Sequence, residues 1–253
     1  VGNPYVSILG APETASSRLN LAQGVNSLAT TLAPLMGAYV ILGEFDTTKL
    51  AAASVRGPYI GLAIAAFIIA IVFFFIKLPT PMENEKNKKV PGNVLRFRQL
   101  RLGVIALMLY VGAEVAIGSF IVGFLGEPYI AGFSAETAAK YIPLYWGGLM
   151  VGRFAGSAIL QVVKAEKVLI WASLAAAALL AVTVLTSGAV SMWAMLLTGL
   201  FNSIMWSNIF ALSIDGLGEY TIKASGVLVM APVGGAILPI MQGILADSPA
   251  IGL

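Results

Sequence analysis

Residues 168–214 read VLIWASLAAAALLAVTVLTSGAVSMWAMLLTGLFNSIMWSNIFALSI, 47 consecutive positions without a charged side chain. At about 1.5 Å per residue, about 20 apolar residues cross a hydrocarbon core of about 30 Å, so this run holds two spans folded back at Thr186-Ser187-Gly188. Barrel strands would alternate apolar and polar side chains over about 10 residues; nothing here alternates, and the spans are helices. The remaining uncharged stretches have similar lengths on either side of this run. Seven spans result, at 19–43, 57–77, 102–126, 141–163, 168–186, 190–214 and 224–246, and Glu114 and Arg153 are the only charges in a span interior.

Composition points the same way. Of 253 residues, 58% are hydrophobic and 11% charged, against roughly a quarter charged in soluble proteins. A soluble enzyme, a nucleic-acid binder or a disordered tail would need more polar surface than this. The chain has no Cys and no His, which removes disulfides, the usual zinc sites and the Ser–His–Asp and Cys nucleophile systems. No pair of Asp residues and no Ser–His combination lies at depth in a span, so no enzyme activity is expected. No cofactor, metal or nucleic-acid partner is expected either, and the lipid bilayer is the surrounding medium.

Lys and Arg set the orientation. Arg18, Lys77, Lys86, Lys88, Lys89, Arg96, Arg98, Arg101, Lys164, Lys167 and Lys223 fall on one side, and Lys49, Arg56 and Lys140 on the other. The excess places loop 78–100 in the cytoplasm. That loop is the only long polar segment. It divides the chain into 1–77, the end of an N-terminal bundle with two spans; a linker at 78–100; and 101–253, a C-terminal bundle with five. Two spans before a linker and five after it make an odd architecture for a whole protein. The chain also opens without Met, inside Asn3-Pro4-Tyr5, and is read as a piece of a longer one.

Polar side chains at depth are the candidate site. On the first span Asn20, Gln23, Ser27, Thr30 and Thr31 share one helical face, with Asn26 beside it. Amides are costly against lipid, so this face meets other helices or water. An amide offers donors and an acceptor together, which suits a sugar hydroxyl, while an interhelical clamp is the plainer role. On the third span Tyr110, Glu114 and Gly118 are spaced by fours, and Glu114 sits near the bilayer midplane. An ionised carboxylate there needs a partner or water, so Glu114 either handles substrate or ion, as a coupling candidate, or forms a fixed ion pair with Arg153. Tyr145 and Trp146 are interfacial belt residues or stacking plates for a sugar ring, and Gly148, Gly152 and Gly156 behind them are packing devices. Asn202, Trp206 and Asn208 on the sixth span repeat the mixture of amide and indole that lines a pocket. Pro232 and Pro239 in the last span mark kinks.

Several of these strings together resemble one family. Asn3-Pro-Tyr-Val, Glu13-Thr-Ala, Arg18-Leu-Asn-Leu-Ala-Gln23-Gly-Val-Asn26, Tyr110-Val-Gly-Ala-Glu114-Val-Ala-Ile-Gly-Ser-Phe, Leu144-Tyr-Trp-Gly-Gly-Leu-Met-Val-Gly-Arg153-Phe and Val229-Met-Ala-Pro-Val-Gly-Gly-Ala-Ile-Leu-Pro are similar to the fucose–galactose–proton symporters of the major facilitator superfamily. The Glu114 string is nearest the glucose/galactose transporter branch. The resemblance implies a partial major facilitator fold, with these seven spans as helices five to eleven of twelve. It implies sugar symport with a proton, or with sodium, across the bacterial inner membrane, by alternating access. It puts Gln23 and Asn26 on the cavity wall, and the family's coupling carboxylates upstream of Val1. The competing class is a seven-helix receptor or sensor without transport. Retinal attachment would need a Lys at depth, and every Lys lies at a span end or in a loop.

Overall fold

A computed structural model describes residues 2–36, 51–77, 79 and 92–247. Every regular element among them is helical. In chain order these are α1 (Gly2–Ile8), α2 (Ala15–Met36), α3 (Ala51–Phe75), α4 (Arg98–Gly126), α5 (Ala135–Ala139), α6 (Ile142–Ile159), α7 (Ala165–Leu185), α8 (Gly188–Asn202), α9 (Met205–Ile214), α10 (Thr221–Met230) and α11 (Gly234–Ala246). Short 3-10 turns lie at Pro12–Thr14, Val94–Arg96, Gly218–Tyr220 and Ala231–Val233. Among the described residues, five segments are long and apolar enough to cross a membrane: Arg56–Phe75, Arg98–Gly126, Ala165–Leu185, Gly188–Ile214 and Gly218–Ala246. The other two expected spans correspond to α2, described as far as Met36, and to α6, with 18 residues. Most of the expected linker, 78 and 80–91, lies outside the described residues, as does 37–43 of the first span.

The chain divides into two compact units, 1–28 with 89–253, and 29–88. In the smaller unit α3 carries Phe, Ile and Val on all sides, and from Ile60 to Phe75 these side chains are exposed. Such a helix has no inward face of its own and suits a lipid or helical environment.

In the larger unit α4 is the central helix. Leu100, Gly103, Leu107, Tyr110, Glu114, Ile117, Ile121 and Leu125 are buried, stepping by threes and fours along one stripe, while Leu102, Ile105 and Leu109 on the other side are exposed. Leu19, Leu100, Leu107, Phe210 and Leu228 build one part of the core. Ile121, Leu125, Tyr145, Leu149 and Leu196 build the other. The fold-back expected at Thr186-Ser187-Gly188 is where α7 ends and α8 begins. Gly188 takes φ +65 there, a left-handed conformation that favours glycine, and its N–H donates to the Tyr129 carbonyl at 2.9 Å.

The kink expected at Pro232 coincides with the 3-10 turn Ala231–Val233, which divides span 224–246 because Pro232 has no N–H to give and its ring crowds the preceding turn. The structure corrects one expectation of continuous helix. Span 190–214 is divided between Asn202 and Met205 without any proline. There Ser203 Oγ donates to the Leu200 carbonyl at 2.6 Å, and Thr198 Oγ1 donates to Met195 O at 2.6 Å. Hydroxyls that bond back to the helix backbone compete with the helical ladder. Gly152 and Gly156 of α6 face this break: a Cβ on Gly152 would run into Ser203 and the Leu200 carbonyl, and one on Gly156 into Ile204.

Candidate functional site

The break in the α8–α9 segment presents two backbone carbonyls to neighbouring helices, and both are taken up. Tyr110 on α4 donates its hydroxyl to Asn202 O at 2.8 Å. Arg153 on α6 donates Nε–H to Ser203 O at 3.1 Å. Irregular backbone at membrane depth is tolerated when neighbours satisfy it in this way.

Arg153 does more than cap the break. Its Nη2 lies 3.7 Å from Glu114 Oε1, with both side chains 11% exposed. Its Nη1 donates to Gln23 O at 3.3 Å and to the Ser27 hydroxyl, both on α2. The Glu114–Arg153 ion pair weighed from the sequence is thus formed in this conformation. The guanidinium meets oxygens from α4, from the break and from α2. The planar fork of five N–H donors is what allows one side chain to reach all of them.

Aromatic rings flank this pair. Tyr145 is fully buried, and its hydroxyl donates to the backbone carbonyl of Glu114 at 3.4 Å. Trp146 meets Tyr145 edge-on at 5.5 Å. Its ring lies over Gly118, where a Cβ would come within 3.0 Å of it. Away from the pair, Trp206 stacks on Phe210 at 5.1 Å with 13° between the planes.

The amides divide into two groups. Asn20 and Asn208 are fully buried and meet each other, Asn20 Nδ2 donating to Asn208 Oδ1 at 3.3 Å and also to Ser16 O at 2.9 Å. Gln23 is half-buried, and its Nε2 donates to Asn3 Oδ1 at 2.9 Å. Asn26 is exposed. Of the residues singled out in the sequence, Glu114, Arg153, Tyr145 and Asn202 come together, with Trp146 adjacent and Gln23 joined through its carbonyl. Asn208, Trp206 and Asn26 lie apart from that cluster in their contacts.

Three features had no reading in the sequence. Ser17 and Ser157 exchange hydrogen bonds, Ser17 Oγ to Ser157 O at 2.7 Å and Ser157 Oγ to Ser17 O at 3.0 Å. Asn3 reaches Gln23. Arg18, read there as a positive charge and as part of a family string, donates to the carbonyls of Val6, Ser7 and Ala11 and to Thr14 Oγ1. The small-residue spacing on α6 signalled a close helix approach, but not which hydroxyls would meet across it. Among the described residues, no three His, Cys, Asp or Glu side chains form a group that could hold a metal ion.

Lipid-length helices around a buried ion pair and a broken segment define a polytopic membrane protein with a polar interior. The profile of the Major Facilitator Superfamily matches residues 3–239, and the chain belongs to that superfamily. It is 48% identical over 255 residues to the glucose/galactose transporter of Brucella abortus, covering 99% of this chain and 62% of the relative. It is 39% identical to a putative glucose/galactose transporter of Helicobacter pylori, covering 97% of the chain and 62% of the relative. Identity to the L-fucose-proton symporter of Escherichia coli is 29%, over 97% of the chain and 61% of that protein. The crystal structure of the E. coli fucose:proton symporter superposes with a TM-score of 0.87 at 28% identity, over 97% of this chain and 66% of that one. The chain thus spans a little over three-fifths of the length of these curated relatives.

Proposed function

We propose that the protein to which this chain belongs carries hexose or deoxyhexose sugars across the bacterial inner membrane by cation symport, with a proton as the first candidate and sodium as the second. The observation that carries the reading is the 48% identity to a glucose/galactose transporter across 99% of the chain. The site chemistry supports it. Gln23 and Asn26 offer mixed donor and acceptor groups for hydroxyls, and Trp146 offers a ring face for the apolar side of a sugar. Tyr145, Asn202, Trp206 and Asn208 belong to the same proposed lining. Tyr145, Asn202 and Asn208 are buried in this conformation, so they would reach substrate when the helices part during alternating access. Glu114 is the coupling candidate within this chain and Arg153 its counter-charge. In this reading 1–77 closes one bundle, 78–100 is a cytoplasmic linker and 101–253 belongs to the second bundle.

The test is sugar-driven alkalinisation outside proteoliposomes that hold the full-length protein, with D-glucose, D-galactose and L-fucose offered in turn. Sugar uptake that moves protons, or that requires sodium, supports the reading. Uptake indifferent to any cation gradient overturns symport, and absence of uptake for all three overturns the sugar assignment.

A further inference from the structure

We propose that Asn3 is a positioning residue for the sugar site: its side-chain oxygen holds the Gln23 amide in the orientation that receives a substrate hydroxyl. The proposal rests on the reading of Gln23 as a sugar ligand.

Gln23 is pinned twice. Its head donates from Nε2 to Asn3 Oδ1 at 2.9 Å, and its backbone carbonyl accepts from Arg153 Nη1 at 3.3 Å. A glutamine amide has two N–H groups and a carbonyl. Asn3 engages one N–H, which leaves the other N–H and the carbonyl, one donor and one acceptor, for a hydroxyl that is itself both.

Asn3 is in turn held in place. It lies in α1, where Ser7 Oγ donates to the Asn3 carbonyl at 3.0 Å. The end of α1 is strapped to the start of α2 by Arg18, whose Nη2 donates to Ser7 O at 2.8 Å, Nε to Val6 O at 3.4 Å and Nη1 to Ala11 O at 2.9 Å. Arg18 and Gln23 are five residues apart on α2. One helix therefore carries both the strap that fixes α1 and the amide that α1 orients. No charge on Asn3 is required, only an acceptor at that point.

A free glutamine head must be ordered each time substrate binds, and a held one is ordered already. Removing the hold is expected to raise KM about three- to tenfold while leaving kcat within about twofold, the effect of immobilising one side chain on binding. The experiment measures initial sugar uptake by the full-length protein in proteoliposomes, normalised to reconstituted protein, for Gln23→Ala, Asn3→Leu and Asn3→Asp. Asp keeps the accepting oxygen. The expected result is a raised KM for Gln23→Ala and Asn3→Leu and a KM near that of the parent for Asn3→Asp. If Gln23→Ala raises KM and Asn3→Leu does not, the positioning role is overturned while the site stands. If Asn3→Leu and Asn3→Asp raise KM equally, the accepting oxygen is not what matters, and the role is again overturned. If Gln23→Ala leaves KM unchanged, the reading of Gln23 beneath the proposal fails. Should Asn3→Leu not reconstitute, Asn3→Ala takes its place in the same comparison.

Discussion

Replacing Arg153 by Met and Glu114 by Gln should have unequal costs, although the two residues form one ion pair. At 3.7 Å and an effective dielectric of about 20, the gross attraction is about 4–5 kcal/mol, and much of it offsets the desolvation of two buried charges. Glu114→Gln removes the carboxylate charge and keeps its shape. The guanidinium then loses its counter-charge but still holds Ser203 O, Gln23 O and the Ser27 hydroxyl, and the expected loss is about 2–3 kcal/mol. Arg153→Met strips donors from those three oxygens and leaves the Glu114 carboxylate without its counter-charge, so the expected loss is about 3–5 kcal/mol. The double variant should lose less than the sum, because no lone buried charge remains. Thermal and denaturant unfolding of the purified full-length protein in detergent provides the ranking. Equal losses, or a larger loss for Glu114→Gln, would refute the claim that Arg153 holds the broken segment and α2 as well as its carboxylate.

Two further predictions concern helix contacts. Asn20→Leu or Asn208→Leu alone should destabilise by about 1–3 kcal/mol by leaving a buried amide without its mate, and the double Leu variant should recover most of that in the same unfolding assay. Gly234→Ala should cost about 1–3 kcal/mol, since its Cβ would run into the Met108 carbonyl where α11 crosses α4, whereas Gly147→Ala, with no heavy atom within 4 Å of the added carbon, should be near neutral.

What the sequence could reveal follows from the range of each interaction. Span lengths and the turn at Gly188 were legible because they depend on the local run of uncharged residues and on one glycine. Part of the α4 stripe was legible in the spacing of Tyr110, Glu114 and Gly118 by fours. The Glu114–Arg153 contact could be guessed because these are the only two charges in span interiors, so each had one candidate partner. The Asn20–Asn208 contact joins positions 188 apart, with many other polar residues available to either, and no local signal selects that pair. The division of 190–214 was hidden for the same reason. Ser203 in an apolar helix is unremarkable until the side chains that take the carbonyls at the break, Tyr110 and Arg153, are known to lie opposite.

Arg153 and the interrupted segment explain each other. A buried guanidinium needs oxygens for its fork, and a helix broken at membrane depth needs donors for its carbonyls; either alone would be costly. Facing each other across the Gly152 approach, the two requirements are met by the same hydrogen bond from Nε to Ser203 O, with Tyr110 serving the adjacent carbonyl of Asn202. A lysine in that place would bring a point charge with no planar fork. The ion pair with Glu114 then neutralises a charge whose position is set by the backbone it caps. Under the proposed function this has a consequence: a change in the charge of Glu114 acts on a side chain that also touches the α8–α9 break and the turn of α2 bearing Gln23. The proposed coupling group and the proposed sugar ligand are thereby linked through one guanidinium within the larger unit.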